Sequence, residues 1–290
     1  MRLLAHHLVA SADGTRLAVY RSARAERAIV LLVHGWAQSA ACFRRQLHGG
    51  PLARRYLVAA TDLRGHGASD VAAGGYGDPA VWAADLSAVL GALPELPVVL
   101  VGWSYGGLVI ADFIAGAALP RPGRVVGVVL VGAITGIGRG QRAGRVGPAM
   151  RAALPAALDE DPAVAVPALT SFVGAMAPGG LRGEDAQRLI GTSLGTPPWV
   201  RAALFDRVAD GAAFARAAGE AGLPVLVLHG TDDPVVDRSA AEHHLATIPG
   251  ARADWWAGHG HLPFLEDECR FAAAVDAFTA RCLETGGLPT

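Results

Sequence analysis

Residues 97–110 read PVVLVGWSYGGLVI, and this stretch decides the fold. The first five residues are continuously apolar, which suits a strand buried on both faces, and Leu108 onward (LVIADF) has helical character. Between them stand Gly102-Trp103-Ser104-Tyr105-Gly106-Gly107, a G-x-S-x-G string on a predicted strand-to-helix turn. A serine there is held in a strained backbone conformation with its hydroxyl clear of the sheet edge. The small residues two positions to either side let strand and helix approach closely, and the helix start favours negative charge nearby.

Working outward, apolar runs of the same kind recur at 28–34 (AIVLLVH), 56–62 (YLVAATD), 124–132 (RVVGVVLVG), 224–229 (PVLVLH) and 252–257 (RADWWA). Helix-length segments separate them at 38–54, 79–93, 105–118, 238–248 and 266–283. Near the start, Leu8-Val9-Ala10, Asp13-Gly14 and 16–21 read as an antiparallel hairpin on an Asp-Gly turn. Strand–helix alternation predicts an α/β protein with a doubly wound, mostly parallel sheet. One stretch breaks the rhythm: from 134 to 221 no strand is evident, and helix-like pieces begin at Pro148, Pro162 and Pro198. An insertion that long is too large for a loop. The expected organisation is a core domain of residues 1–133 and 222–290, with a helical cap, 134–221, inserted after the sixth strand.

Composition narrows the function classes. Of 290 residues, 52% are hydrophobic and 18% charged, so the chain can build a large core. Its 25 basic residues, all arginine, balance 26 acidic ones, which argues against a nucleic-acid-binding protein with a basic surface. Cys42, Cys269 and Cys282 are scattered with no C-x-x-C pair, against a disulfide framework or a cysteine zinc site. The histidines form no H-E-x-x-H pattern, and no metal or other cofactor is expected. The first ten residues do not read as a signal peptide, and no apolar run is long enough to span a bilayer. The expectation is a soluble, cytoplasmic protein that engages neither membrane nor nucleic acid.

A serine hydroxyl is a poor nucleophile and needs a base, plus a group that orients the base. Both candidates follow late predicted strands. The base lies in Gly258-His259-Gly260-His261-Leu262-Pro263; His261, just before a proline able to open the last helix, is favoured over His259. The acid lies in Gly230-Thr231-Asp232-Asp233-Pro234, where Asp233 is favoured and Asp232 suits a turn or cap. One strand earlier the chain reads Gly132-Ala133-Ile134-Thr135, with no carboxylate to compete. Acyl transfer also needs two N–H donors for the developing oxyanion. The backbone amide of Tyr105 is one, and that of Trp36, in His34-Gly35-Trp36-Ala37, is the other.

These residues resemble the α/β-hydrolase superfamily over nearly the whole chain outside the insertion. Asp62-Leu63-Arg64-Gly65-His66-Gly67-Ala68-Ser69 is similar to the family's D-x-R-G-x-G-x-S loop. The patterns at 260–266 (GHLPFLE) and 230–235 (GTDDPV) also match, and the family pattern selects His261 and Asp233. Serine at 104 separates the chain from the branches that use aspartate there, the haloalkane dehalogenases and epoxide hydrolases. The His34-Gly35-Trp36 loop with Gly-Trp-Ser-x-Gly-Gly is similar to carboxylesterases that demethylate pimeloyl-acyl-carrier-protein esters, to some acyl-homoserine lactonases and to cofactor-free haloperoxidases. The resemblance implies a serine esterase acting on a small, partly hydrophobic ester. The alternatives are a lactonase, a perhydrolase or a C–C bond hydrolase using the same triad, or a binding protein on the same scaffold. Trp103, Phe172, Met176 and Trp199 are candidates for the substrate pocket and equally for packing. Arg139, Arg142, Arg145 and Arg151 form a local basic cluster that could face an acyl-carrier protein, or simply solvent.

Overall fold

The apolar runs pair as one eight-stranded sheet in a computed structural model that describes residues 6–23, 27–116 and 123–285. The strands are β1 (His6–Ala10), β2 (Arg16–Arg21), β3 (Ile29–Val33), β4 (Leu57–Thr61), β5 (Val98–Trp103), β6 (Val125–Val131), β7 (Val225–Gly230) and β8 (Arg252–Trp256). Their spatial order is β1-β2-β4-β3-β5-β6-β7-β8. The β1–β2 and β2–β4 pairs are antiparallel and all the others are parallel. β3, β5 and β7 are buried along their whole length, which explains their uninterrupted Val and Leu. At the edges the pattern loosens: β1 alternates between exposed and half-buried residues. β8 is half exposed, and the guanidinium groups of Arg238 and Arg270 lie 4.6 and 4.2 Å from the rings of Trp255 and Trp256.

The chain leaves β3 toward β4 on one side, then returns to β5 and proceeds to β6 on the other. Loops after β3 and β5 therefore flank the point where the winding reverses, the usual place for a ligand crevice in an open parallel sheet.

The helices are α1 (Arg44–Leu47), α2 (Pro79–Gly91), α3 (Tyr105–Ala115), α4 (Pro148–Ala157), α5 (Pro162–Ala175), α6 (Gly183–Gly195), α7 (Pro198–Ala203), α8 (Gly211–Glu220), α9 (Arg238–Thr247), α10 (Pro263–Glu266) and α11 (Glu268–Thr285). Asp78, Asp161, Asp210 and Asp237 cap α2, α5, α8 and α9, each carboxylate accepting a first-turn N–H. The single helix expected over 38–54 is instead a 3-10 turn, the four-residue α1 and a second 3-10 turn. Gly49, with φ +87°, and Pro51 interrupt it. The helical piece that begins at Pro198 is short and stops at Ala203. Two helices went unanticipated: α6 has glycine at both ends and no side-chain cap, and α8 opens on a glycine, although Asp210 before it is a capping residue that the sequence offered. Between β6 and β7 the described residues form α4 to α8 and no strand, apart from isolated bridges at Ile137–Ala209 and Val146–Val236.

Candidate active site

Ser104 joins β5 to α3 with φ 54° and ψ −121°, a region costly for a residue with a side chain. The conformation is tied down on both sides: the Ser104 N–H donates to the Val131 carbonyl at 3.0 Å, and its own carbonyl accepts from Gly107 and Ile134. A Cβ on Gly106 would sit 2.2 Å from the Val33 carbonyl oxygen, so only glycine lets α3 start this close to β3. Tyr105 is the first residue of α3, where the helix itself supplies no acceptor for the N–H.

Asp233 and His261 follow β7 and β8 at the same sheet edge. His261 Nδ1 donates to Asp233 Oδ2 at 2.8 Å, and both side chains are 1% exposed. Asp233 Oδ1 accepts the Val235 and Val236 N–H groups at 2.8 and 3.0 Å, which fixes the carboxylate. The imidazole is held from its own backbone: the His261 N–H donates to the Met176 carbonyl at 2.7 Å, and the His261 carbonyl accepts from Trp103 Nε1 at 2.8 Å. The Glu266 carboxylate takes the N–H groups of Gly260 and Leu262, closing the turn around the histidine. A Cβ on Gly132, directly after the Val131 that holds Ser104, would meet Asp233 Oδ2 at 2.9 Å and His261 Nδ1 at 3.1 Å. Ser104, after β5, is thus separated from the Asp233 loop, after β7, by β6, whose end at Gly132 touches the bonded pair. Among the described residues its hydroxyl makes no hydrogen bond, as is common before a substrate closes the geometry. The rivals point elsewhere. Asp232 is exposed and accepts from the Thr231 hydroxyl, and His259 bonds the Ala257 carbonyl beside Trp256.

The loop after β3 is built by a buried imidazole. His34 Nδ1 donates to the Gly35 carbonyl at 2.8 Å and Nε2 accepts the Leu63 N–H at 3.0 Å; burial holds the ring neutral, pulling its pKa down to about 4. A Cβ on Gly35 would lie 2.9 Å from Ser104 Cβ, so this loop abuts the serine. Ala37 is the other non-glycine residue with positive φ (52°) among the described residues, a strain the sequence did not announce. The D-x-R-G-x-G-x-S segment braces the same end. Asp62 accepts from Ala40 N, Ala68 N and the Tyr20 hydroxyl, and Arg64 pairs with Asp85 at 2.6 and 2.7 Å.

Of the pocket candidates, Trp103 is packed beneath the His261 ring at 5.4 Å between centroids. Phe172 is buried with its ring edge-on to Trp36 at 5.9 Å, and Phe205 faces the same indole at 5.5 Å. Met176 is buried and reaches the site through its carbonyl. Trp199 is 43% exposed and stands edge-on to Tyr76. Arg139, Arg142, Arg145 and Arg151 are all exposed. Sequence reading overlooked Glu266 as a brace, although its motif contained it, and also His229, whose Nε2 lies 3.9 Å from Asp233 Oδ2. No helix among the described residues is long and apolar enough to cross a membrane. No group of three or more His, Cys, Asp or Glu among them could hold a metal ion.

Comparison with known proteins is consistent in direction. The model of the alpha/beta hydrolase family matches residues 30–274. An esterase of Rhodococcus sp. ECU1013 of known structure, RhEst1, superposes with a TM-score of 0.88 at 45% identity, covering 96% of this chain and 99% of that one. A non-heme chloroperoxidase of Streptomyces lividans is 36% identical over 131 residues, 43% of this chain and 44% of the chloroperoxidase. A pimeloyl-[acyl-carrier protein] methyl ester esterase of Chromobacterium violaceum is 27% identical over 85% of this chain and 92% of its own.

Proposed function

The chain belongs to the alpha/beta hydrolase family, and from that premise we propose that it is a serine hydrolase cleaving carboxylic esters of a small, partly hydrophobic substrate. Ser104 attacks the acyl carbonyl while His261 takes the hydroxyl proton. Asp233 keeps the proton of neutral His261 on Nδ1 and stabilises the imidazolium. The amides of Trp36 and Tyr105 receive the oxyanion, His261 returns the proton to the leaving alcohol, and the acyl-enzyme forms. Water, deprotonated by His261, then attacks the same carbonyl; the acid departs and Ser104 regains its proton. No step calls for a metal or cofactor. The observation that carries the reading is the 2.8 Å Asp233–His261 hydrogen bond, buried beside the strained serine.

Residues 134–221 act as a cap whose apolar side chains, with Phe172, Met176 and Trp199 among them, select the acyl or alcohol part; Trp36 and Trp103 complete the floor. The exposed Arg139, Arg142, Arg145 and Arg151 offer a docking face to an acidic carrier protein, a reading supported by the methyl ester esterase relative. A second reading, in which peroxide replaces water on the acyl-enzyme, is favoured by the likeness to the chloroperoxidase.

A fluorophosphonate probe tests the mechanism: it should label wild type at Ser104 and leave Ser104→Ala unlabelled. A panel of p-nitrophenyl esters of rising chain length, an acyl-carrier-protein methyl ester and peroxide trapping would then rank the substrates. Hydrolysis surviving intact in Ser104→Ala would refute the assignment.

A further inference from the structure

Inside the molecule, away from the Asp233–His261 pair and besides Arg64–Asp85, lies another buried ion pair for which the mechanism has no use. Arg207, in the segment between α7 and α8, donates from Nη2 to Asp112 Oδ2 on α3 at 2.6 Å. The two side chains are 0% and 5% exposed. The other arm of the guanidinium, Nη1, donates to the Tyr105 hydroxyl at 3.3 Å, and that hydroxyl donates to the Leu204 carbonyl at 3.2 Å. The guanidinium carbon is also 5.7 Å from the Trp82 ring and 5.9 Å from the Tyr105 ring, and the two rings meet edge-on at 6.1 Å. Tyr105 is therefore gripped at its far end by residues 204–207 of the insertion, while its backbone follows Ser104.

An isolated buried pair is weak as a source of stability, since desolvating two charges cancels most of the attraction. Here the pair does something an apolar replacement could not: it offers a hydrogen-bond donor at a set position to a phenol buried in the first turn of α3. Burial pushes the Asp112 carboxyl up to about 6, and the adjacent Arg207 guanidinium pulls it down. Resting on the proposed acyl-transfer role of this site, we infer that Arg207, held by Asp112, is a positioning residue: by fixing the Tyr105 side chain it aims the Tyr105 N–H at the oxyanion. It touches neither substrate nor the reacting atoms, and it couples the seating of the insertion to the charge-stabilising donor.

The test separates positioning from folding. Arg207→Met alone strands a buried carboxylate, so the decisive variants are Arg207→Met with Asp112→Leu, which removes both charges, and Tyr105→Phe, which keeps the pair and deletes only the hydroxyl. Both should retain a cooperative thermal transition. With p-nitrophenyl acetate, kcat should fall about tenfold in the double variant and about threefold in Tyr105→Phe, with KM within about twofold, because a displaced donor is felt in the transition state. Affinity for phenylboronic acid, whose serine adduct carries the tetrahedral oxyanion, should fall in parallel. Arg207→Lys, which keeps the charge on Asp112, should recover part of the loss. A folded double variant whose kcat and boronate affinity stay within about twofold of wild type overturns the inference. Fluorophosphonate labelling keeps the two ideas apart. If wild-type Ser104 labels and the variants are undisturbed, the positioning role alone is wrong; if wild type does not label, the catalytic reading fails and this inference with it.

Discussion

The strand-end loops and the insertion between β6 and β7 are built on opposite plans. Around Ser104 the backbone is strained and the glycines are crowded. Buried imidazoles and carboxylates are cross-linked, as His34 bridges to Leu63 and Asp62 gathers three donors. The insertion carries none of the 10 histidines, several of its glycines have open space around them, and Val164, Val166, Leu194, Trp199 and Val208 stand partly in solvent. One region is over-determined and tolerates little change. The other is tied to the core by hydrogen bonds from Trp36, Gln38 and His261 to Arg201, Leu189 and Met176 and by the Arg207 contacts, but keeps more apolar side chains in solvent.

The contrast can be broken most directly at the serine. Ser104→Ala should lower kcat by at least about 10⁴-fold in steady-state ester hydrolysis while leaving the thermal midpoint near wild type. Equal losses from alanine substitutions scattered through the insertion would dissolve the distinction. The next largest effect is on stability. Gly106→Val would drive its side chain into the Val33 carbonyl and should cost about 3 kcal/mol or more, read as a lowered urea midpoint or failure to fold.

Acid sharpens the comparison. Burial lowers the pKa of His34 to about 4 and those of His66 and His244 to about 3, against about 6.5 in the unfolded chain. Below pH 6.5 the unfolded state binds protons that the folded state refuses. The stability these groups contribute is therefore complete above that pH and drains away as pH falls toward 3–4. Thermal midpoints should fall steadily over that window, and His34→Asn should flatten the slope. A midpoint constant from pH 7 to 4 would contradict neutral burial. The smallest effect is a gain: Gly191, within α6 and with nothing near its missing Cβ, should stabilise by about 0.5–1 kcal/mol when changed to Ala. A loss there would mean the insertion is packed as tightly as the core.

Legibility followed the same boundary. The parallel strands could be read because each is a short apolar run, and Ser104, Asp233 and His261 could be proposed as the site because each sits in a local pattern just beyond such a run. Contacts between distant residues left no trace in local sequence. Met176 gives His261 a carbonyl from 85 positions away, and Arg207 finds Asp112 across 95. The left-handed backbone of Ala37 was equally hidden, since alanine does not advertise it. Helix α6 was missed because both its ends carry glycine; α8 was missed despite its Asp210 cap, because its alanine- and glycine-rich run gains its place only by packing against α3.

The outermost parallel strand has a consequence of its own. β8 leaves one row of backbone donors and acceptors unpaired, an invitation to a strand from another molecule. On that strand Arg238 lies over the ring of Trp255 and Arg270 over the buried ring of Trp256. Glu242 and Asp254 pair with these arginines, so an approaching copy would have to disturb two ion pairs as well as the bulk of the side chains before it reached the backbone.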